Sequence, residues 1–280
     1  MNFLDPKVDI AFKKIFGSAD HKNLTINFLN NILNLPAHKW IEEITFLETE
    51  KQPVRLKGKK VYFDVYCIDA QKSHYIIEIQ MLNEFNFIER SEYYVARALA
   101  LQLNKGKEYQ DLLPVIFLGI VNYNLFDELD DDQQQVFSSY SMRNDITGKQ
   151  LKNTRMSLHY IELSKFNKTL EQLDTIADRW LFFLKNAKKL DVIPEQLTEL
   201  TEAFYLLDEL KWSYLDLQEY SQEQEIIDRE KRQQEGAARE KAEKITTNLL
   251  TIGLSIENIA QATGLSIEQI QEFKKSKIPN

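Results

Sequence analysis

Two short apolar runs each carry an acid where a hydrocarbon side chain would be easier to bury. They are Val61-Tyr62-Phe63-Asp64-Val65-Tyr66-Cys67-Ile68 and Tyr75-Ile76-Ile77-Glu78-Ile79-Gln80-Met81. Side chains alternate faces along a strand, which places Asp64 with Tyr62 and Tyr66 in the first run. In the second run Glu78 and Gln80 share a face, about 6.6 Å apart at the usual strand rise. An unpaired buried carboxylate costs several kcal/mol, so it neutralises or finds a partner. Two such acids on neighbouring strands point to a hard divalent cation held by oxygen ligands. The structural alternative is a pair of buried carboxylates bonded to Tyr or Arg.

Such an ion could polarise a phosphate, generate a nucleophilic water and steady a leaving oxygen, which together are the needs of phosphodiester hydrolysis. Phosphate contacts are available nearby. Arg90 and Arg97 stand seven residues apart on one helical stripe with Tyr94 between them. Pairing with acids such as Glu89 or Glu78 is their ordinary alternative. The run Lys51 to Lys60 contains no acid, so Lys57, Lys59 and Lys60 form a basic segment just before the Asp64 run. It reads equally as a solvated hairpin.

The elements that would position these groups follow from periodicity. Asp5-Pro6 has the form of a helix start, with Val8, Phe12 and Ile15 at helical spacing and Gly17 as the stop. Asp9 and Lys13 fall four apart on one face of that helix, which suits an i,i+4 ion pair as well as a functional role. A second helix is expected over Asp20 to Leu35, a strand over Ile41 to Glu48, a turn at Gly58 and a helix over Glu84 to Asn104 closed by Gly106. Leu113 to Tyr123 is a near-continuous apolar run of the kind found in buried strands. This order of helices and strands predicts an α/β layer with a mixed sheet.

Beyond Asp132 the composition shifts. Val136–Met142 and Met156–Leu163 are expected to pair as a hairpin around Asn144-Asp145 and Thr147-Gly148. From Ser164 the pattern is almost wholly helical, with a long polar helix over Tyr214 to Lys244. The segment Gly253-Leu254-Ser255-Ile256-Glu257 recurs as Gly264-Leu265-Ser266-Ile267-Glu268, and each serine can cap a short helix. The resulting two-helix unit resembles a helix-turn-helix. Glu268, Gln269 and Glu272 on its second helix, with no arginine at its start, favour packing or dimer contact over base reading. The expected organisation is therefore a domain over 1–163 (core 1–125 plus hairpin 136–163), a helical region over 164–244 and a two-helix unit over 245–280.

Composition narrows the function classes. The chain has 280 residues, 43% of them hydrophobic, with 16 Phe and 12 Tyr to build a core. A net charge of −8 argues against a simple polyanion binder. The single cysteine, Cys67, leaves no intrachain disulfide and no cysteine-based zinc site, which suggests a reducing, cytoplasmic setting. Neither a signal peptide nor a membrane-spanning run is visible. Eight glycines include no phosphate-cradling loop, so no nucleotide cofactor is expected. The four histidines lack metal-ligand spacing, and Trp40, Trp180 and Trp212 are expected in the core or an interface.

The ordered set Asp5-Pro6-x-x-Asp9-x-x-Phe12-Lys13-x-x-Phe16-Gly17, Asp64, Glu78-Ile79-Gln80, then Glu89-Arg90-Ser91-x-Tyr93-Tyr94-x-x-Arg97, Gln102, Gly106-x-x-Tyr109 and Leu113-Pro114-Val115-Ile116, resembles one family. It is the recombination-promoting nucleases, also described as transposases of the PD-(D/E)XK superfamily. The likeness covers residues 1–125 best. It implies a restriction-endonuclease-like α/β core, a mixed central sheet flanked by helices, followed by a mostly α-helical C-terminal region. It also implies a magnesium-dependent DNA endonuclease of low sequence specificity. Asp64, Glu78 and the Ile79 carbonyl would hold Mg2+, with Asp9 as an auxiliary contact and Lys13, Lys57, Lys59, Lys60, Arg90 and Arg97 toward DNA phosphates. The third catalytic position is usually lysine. Gln80 stands there and would orient water by hydrogen bonding alone. Cutting both strands favours a homodimer, for which the C-terminal helices could supply the contact. A non-catalytic DNA- or protein-binding module on the same fold is the alternative that the missing lysine permits.

Overall fold

A computed structural model describes residues 1–48, 50–51, 61–103, 108–126 and 135–277. The expected turn at Gly58, the helix stop at Gly106 and the lysines Lys57, Lys59 and Lys60 lie outside these residues. The chain divides into two compact units, Met1–Gln224 and Glu225–Asn280.

The first unit opens with α1 (Asp9–Phe16) and α2 (Lys22–Ile32), then β1 (Ile44–Phe46), β2 (Glu50–Lys51), β3 (Val61–Tyr62), β4 (Val65–Asp69) and β5 (His74–Gln80). After α3 (Phe87–Ala100) come β6 (Val115–Val121), β7 (Phe137–Ser141) and β8 (Met156–Glu162). The helices α4 (Ile176–Asn186) and α5 (Thr201–Leu207) follow, and then α6 (Tyr214–Thr251), which crosses from the first unit into the second. Six strands form one sheet in the order β1-β4-β5-β6-β8-β7, and β2 and β3 pair separately. The β5–β6 and β6–β8 pairs are parallel, and the others in the large sheet are antiparallel. The expected mixed sheet and the β7–β8 hairpin are both present. Asn144 closes that hairpin by accepting from the N–H groups of Ile146 and Thr147, and Gly148 takes the left-handed conformation.

The helix α3 is the crossover between parallel β5 and β6, and it covers one sheet face. Phe63, Tyr66, Ile76, Phe87, Val95, Phe117 and Tyr160 pack there as a buried cluster. Gly119 of β6 makes this close approach possible, because a Cβ there would meet the Phe87 ring at 2.8 Å. Since Gly119 pairs with Glu78, the start of α3 is seated directly beside that acid. The remaining helices share an aromatic core. Phe16 meets Phe28 at 4.7 Å, Phe28 meets Trp180 at 5.5 Å, and Phe183 meets Phe204 at 4.9 Å between ring centroids. Residues 164–224 thus belong to the same compact unit as the sheet. Trp180 and Trp212 are buried as expected, whereas Trp40 is exposed.

Three local expectations are corrected. The first helix begins at Asp9, because the Asp5 carboxylate accepts from the Lys7 N–H (3.0 Å) and Nζ (2.7 Å), closing a turn in place of a cap. The strand expected from Ile41 shortens to Ile44–Phe46, because the Asn30 side chain takes both backbone groups of Ile41 at 2.8 and 2.9 Å. The run Val61–Ile68 is not one strand. It breaks at Phe63-Asp64, where β3 leaves for its own partner and β4 joins the large sheet. Strict alternation therefore fails, and the Phe63 and Tyr66 rings meet at a tilt, with centroids 5.1 Å apart.

The second unit contains the rest of α6 with α7 (Ile256–Thr263) and α8 (Ile267–Lys277). Ser255 caps α7, Gly264 ends it at a φ of 69°, and Ser266 with Gln269 forms the expected capping box. Ile259 and Ile270 are fully buried in this small unit. Among the described residues no helix is long and apolar enough to cross a membrane.

Candidate active site

The β4–β5 ladder ends at the pair Val65 and Ile77. One position beyond, two carboxylates replace the missing backbone acceptors. The Asp64 N–H donates to Glu78 Oε1 at 3.0 Å, and the Ile79 N–H donates to Asp64 Oδ2 at 2.8 Å. Each acid thereby holds the other's strand, which fixes both at the end of the ladder. Asp64 sits on the bend that interrupts its apolar run, so it stands at the sheet margin and is not sealed within a strand.

Both acids resist ionisation. Burial, then the negative charge of Asp9, pushes the Asp64 carboxyl up to about 6. Burial, then the charge of Asp64, holds Glu78 well above the ordinary carboxylate range. The Ile79 and Asp64 N–H bonds, Lys13 and Arg90 oppose these shifts without overcoming them. Tyr94 on α3 is pushed up to about 12 by burial and by the Glu78 charge. The site therefore carries more negative charge than its surroundings neutralise.

Asp9 arrives from the first turn of α1. Its Oδ2 accepts from Lys13 Nζ at 2.5 Å, the i,i+4 pair that the spacing allowed. Its Oδ1 is enclosed and has no hydrogen-bond partner among the described residues. Burial lowers the Lys13 pKa, but the bond to Asp9 and the charges of Asp9 and Asp64 outweigh it, so the net shift is upward. Glu223 on α6 accepts from the Ile10 N–H at 3.1 Å and ties α6 to the start of α1.

Gln80 is bonded at both ends of its amide. Its Oε1 accepts from Arg90 Nη2 at 2.7 Å, and its Nε2 donates to Glu84 Oε1 at 3.2 Å. Arg90 Nη1 donates to Glu84 Oε2 at 2.5 Å, which closes the triangle. Gln80 thus bridges Glu84 and Arg90. Arg97 is a correction. It is only 5% exposed, so it does not join Arg90 on a surface stripe. Cys67 is buried, as expected, and burial pushes its thiol up to about 12.

Residues 6–236 match the PD-(D/E)XK nuclease family transposase. The chain belongs to that family. The match spans the sheet, the helices of the first unit and part of α6. No curated protein and no solved structure matches the chain. Membership in this family supports a nuclease- or transposase-related function for the chain, and nucleases of this kind generally use divalent metal ions.

The residues present suit such an ion. All donors are hard oxygens, the buried pair carries uncompensated charge, and the enclosed Asp9 Oδ1 has nothing to bond. Among the described residues no three His, Cys, Asp or Glu side chains close into a metal-binding group. The present hydrogen bonds explain why. Asp64 and Glu78 each have an oxygen committed to a backbone N–H, and Asp9 is drawn toward Lys13.

Glu84 and Glu223 are the members of this neighbourhood that sequence reasoning missed. Glu84 was expected only as the first residue of a helix, whereas α3 begins at Phe87 and leaves Glu84 free to reach Gln80 and Arg90. Glu223 is more than two hundred residues from α1, and only folding brings it near.

Proposed function

We propose that this chain is a divalent-metal-dependent DNA endonuclease that hydrolyses phosphodiester bonds with low sequence specificity. Asp64, Glu78 and the Ile79 carbonyl hold the ion, and Asp9 is the auxiliary ligand. The ion, when bound, supplies Lewis-acid stabilisation of the phosphate. The chain's own groups do the rest. The reciprocal Asp64–Glu78 bonds keep two acids in register, and the burial and mutual repulsion that raise both carboxyls are relieved when a cation binds. Lys13 and Arg90 meet DNA phosphates, joined by Lys57, Lys59 and Lys60 of the basic run. Roles in recombination, mobile elements or defence suit such an activity.

The observation that carries this reading is the pair of ladder-end carboxylates, each replacing a strand acceptor and each shifted upward. A nicking assay on supercoiled plasmid tests it with Mg2+, with EDTA and with Asp64→Ala. Cleavage in the first condition alone supports the enzyme. No cleavage under any condition supports a second reading, a non-catalytic module, which the Gln80 amide, bonded at both its oxygen and its nitrogen, favours. For double-strand cleavage the C-terminal helical region would join two chains. Light scattering on the same preparation should give twice the chain mass, and a monomer at working concentration removes that part.

A further inference from the structure

We propose that Arg90 is the catalytic cation of this site, reaching the scissile phosphate from α3 in the place where a lysine at position 80 would act. The inference rests on the nuclease reading above. Gln80 stands two residues beyond Glu78 on the same strand face, about 6.6 Å away. A glutamine brings no charge to that place. The structure joins it directly to one that does, because Arg90 Nη2 lies 2.7 Å from Gln80 Oε1.

The guanidinium is well held. Glu84 accepts from Nη1 at 2.5 Å and from Gln80 Nε2 at 3.2 Å, so strand and helix are joined through one set of bonds. The guanidinium carbon lies 5.1 Å from the Phe87 ring centroid, and Phe87 is itself seated in the space that Gly119 leaves. The bonds to Gln80 and Glu84 engage one N–H on each terminal nitrogen, out of the five that a guanidinium offers. The Arg90 side chain remains 26% exposed, so an incoming phosphate can reach the remaining donors or displace Glu84 from Nη1. Arg90 is also among the charges that offset the burial of both Asp64 and Glu78. Lys13 is the rival cation. Its ammonium is bonded to Asp9 at 2.5 Å, and among the described residues it has no bond to Gln80.

A charge swap tests this. Wild-type protein, Arg90→Ala, Gln80→Lys, the double variant Gln80→Lys/Arg90→Ala and Lys13→Ala are compared in single-turnover plasmid nicking. DNA affinity in EDTA is measured alongside by fluorescence anisotropy. Arg90→Ala is expected to slow cleavage about 100- to 1000-fold, with affinity changed only a few-fold. Gln80→Lys alone is expected to slow it too, since an ammonium then faces the guanidinium. The double variant should regain at least about tenfold over Arg90→Ala, because the charge returns by another route. Lys13→Ala should cost less than Arg90→Ala. Arg90→Gln keeps donors toward Gln80 and Glu84 and takes over if the alanine variant unfolds.

Four results overturn the proposal. They are cleavage by Arg90→Ala near the wild-type rate, no rescue in the double variant, an affinity loss as large as the rate loss, or a greater loss from Lys13→Ala. An inactive wild type removes the reaction itself, which distinguishes failure of the nuclease reading from failure of the Arg90 assignment.

Discussion

Asp64→Asn and Glu78→Gln will each abolish cleavage and yet make the metal-free protein harder to unfold at neutral pH. The two effects share one cause. Each amide retains an oxygen in the place of the carboxylate, so the Ile79 N–H and the Asp64 N–H keep their acceptors. What is lost is the charge. That charge is a burden in the folded protein, since burial and then Asp9 raise Asp64 to about 6, and burial and then Asp64 raise Glu78. One pKa unit corresponds to about 1.4 kcal/mol between protonation states. Partial exposure of Asp64 and the coupling of the two acids reduce the yield, so a gain of about 1–3 kcal/mol is expected for Asp64→Asn, and a gain of the same sign for Glu78→Gln. Activity should fall by at least about 1000-fold, because an amide is a poor ligand for a hard cation and the site loses part of the charge that attracts it. Urea denaturation with EDTA and plasmid nicking with Mg2+ measure the two halves. A variant that cleaves normally removes its acid from the chemistry. A variant that loses activity and also loses stability shows the carboxylate to be a structural tie.

This pairing explains how much of the site was legible in the sequence. An acid inside an apolar run is conspicuous because hydrophobic patterning has no use for it, and both Asp64 and Glu78 stood out on that ground. That the two runs are neighbouring strands was legible too, whereas the antiparallel register that sets Asp64 opposite Glu78 came only with the fold. The bend at Phe63-Asp64 was not. Nothing in Val61–Ile68 announces that β3 has a different partner from β4, because strand exchange depends on distant chain. For the same reason Ile41 read as strand, although Asn30, eleven residues earlier, satisfies both its backbone groups. Arg97 misled for another reason. Helical spacing gives the angle of a side chain around its axis and says nothing of how deeply neighbouring elements cover that end of the helix. The Gln80–Glu84–Arg90 triangle needed a loop conformation that no periodicity encodes. Much of the fold was readable from alternation, caps and turns, and the site from its anomalies. The bonds that organise the site were not readable, because they join a strand end, a loop and a helix start.

The same raised acids make metal binding and proton release one equilibrium, with a sign that can be worked out. Asp64 ionises near 4 when free and at about 6 when folded. Between those values the folded protein binds more protons than the unfolded chain, so stability falls as pH rises through this window. Glu78 is shifted in the same direction and adds a contribution of the same sign. Above the window Asp64 is charged beside Asp9, a repulsion that a divalent cation relieves. Below it a cation must expel protons to bind. Saturating Mg2+ should therefore raise the melting temperature at about pH 8, by roughly 2.7 kcal/mol of added stability at a hundredfold excess over its dissociation constant. Near about pH 5 the Mg2+ effect should nearly vanish, because protons hold the site. Calorimetry at neutral pH in two buffers of different ionisation enthalpy should detect proton release on binding. In Asp64→Asn/Glu78→Gln both the melting shift and the proton release should disappear. A Mg2+ shift of equal size at both pH values, or one that survives in the double amide, would place the ion elsewhere and separate these carboxylates from it.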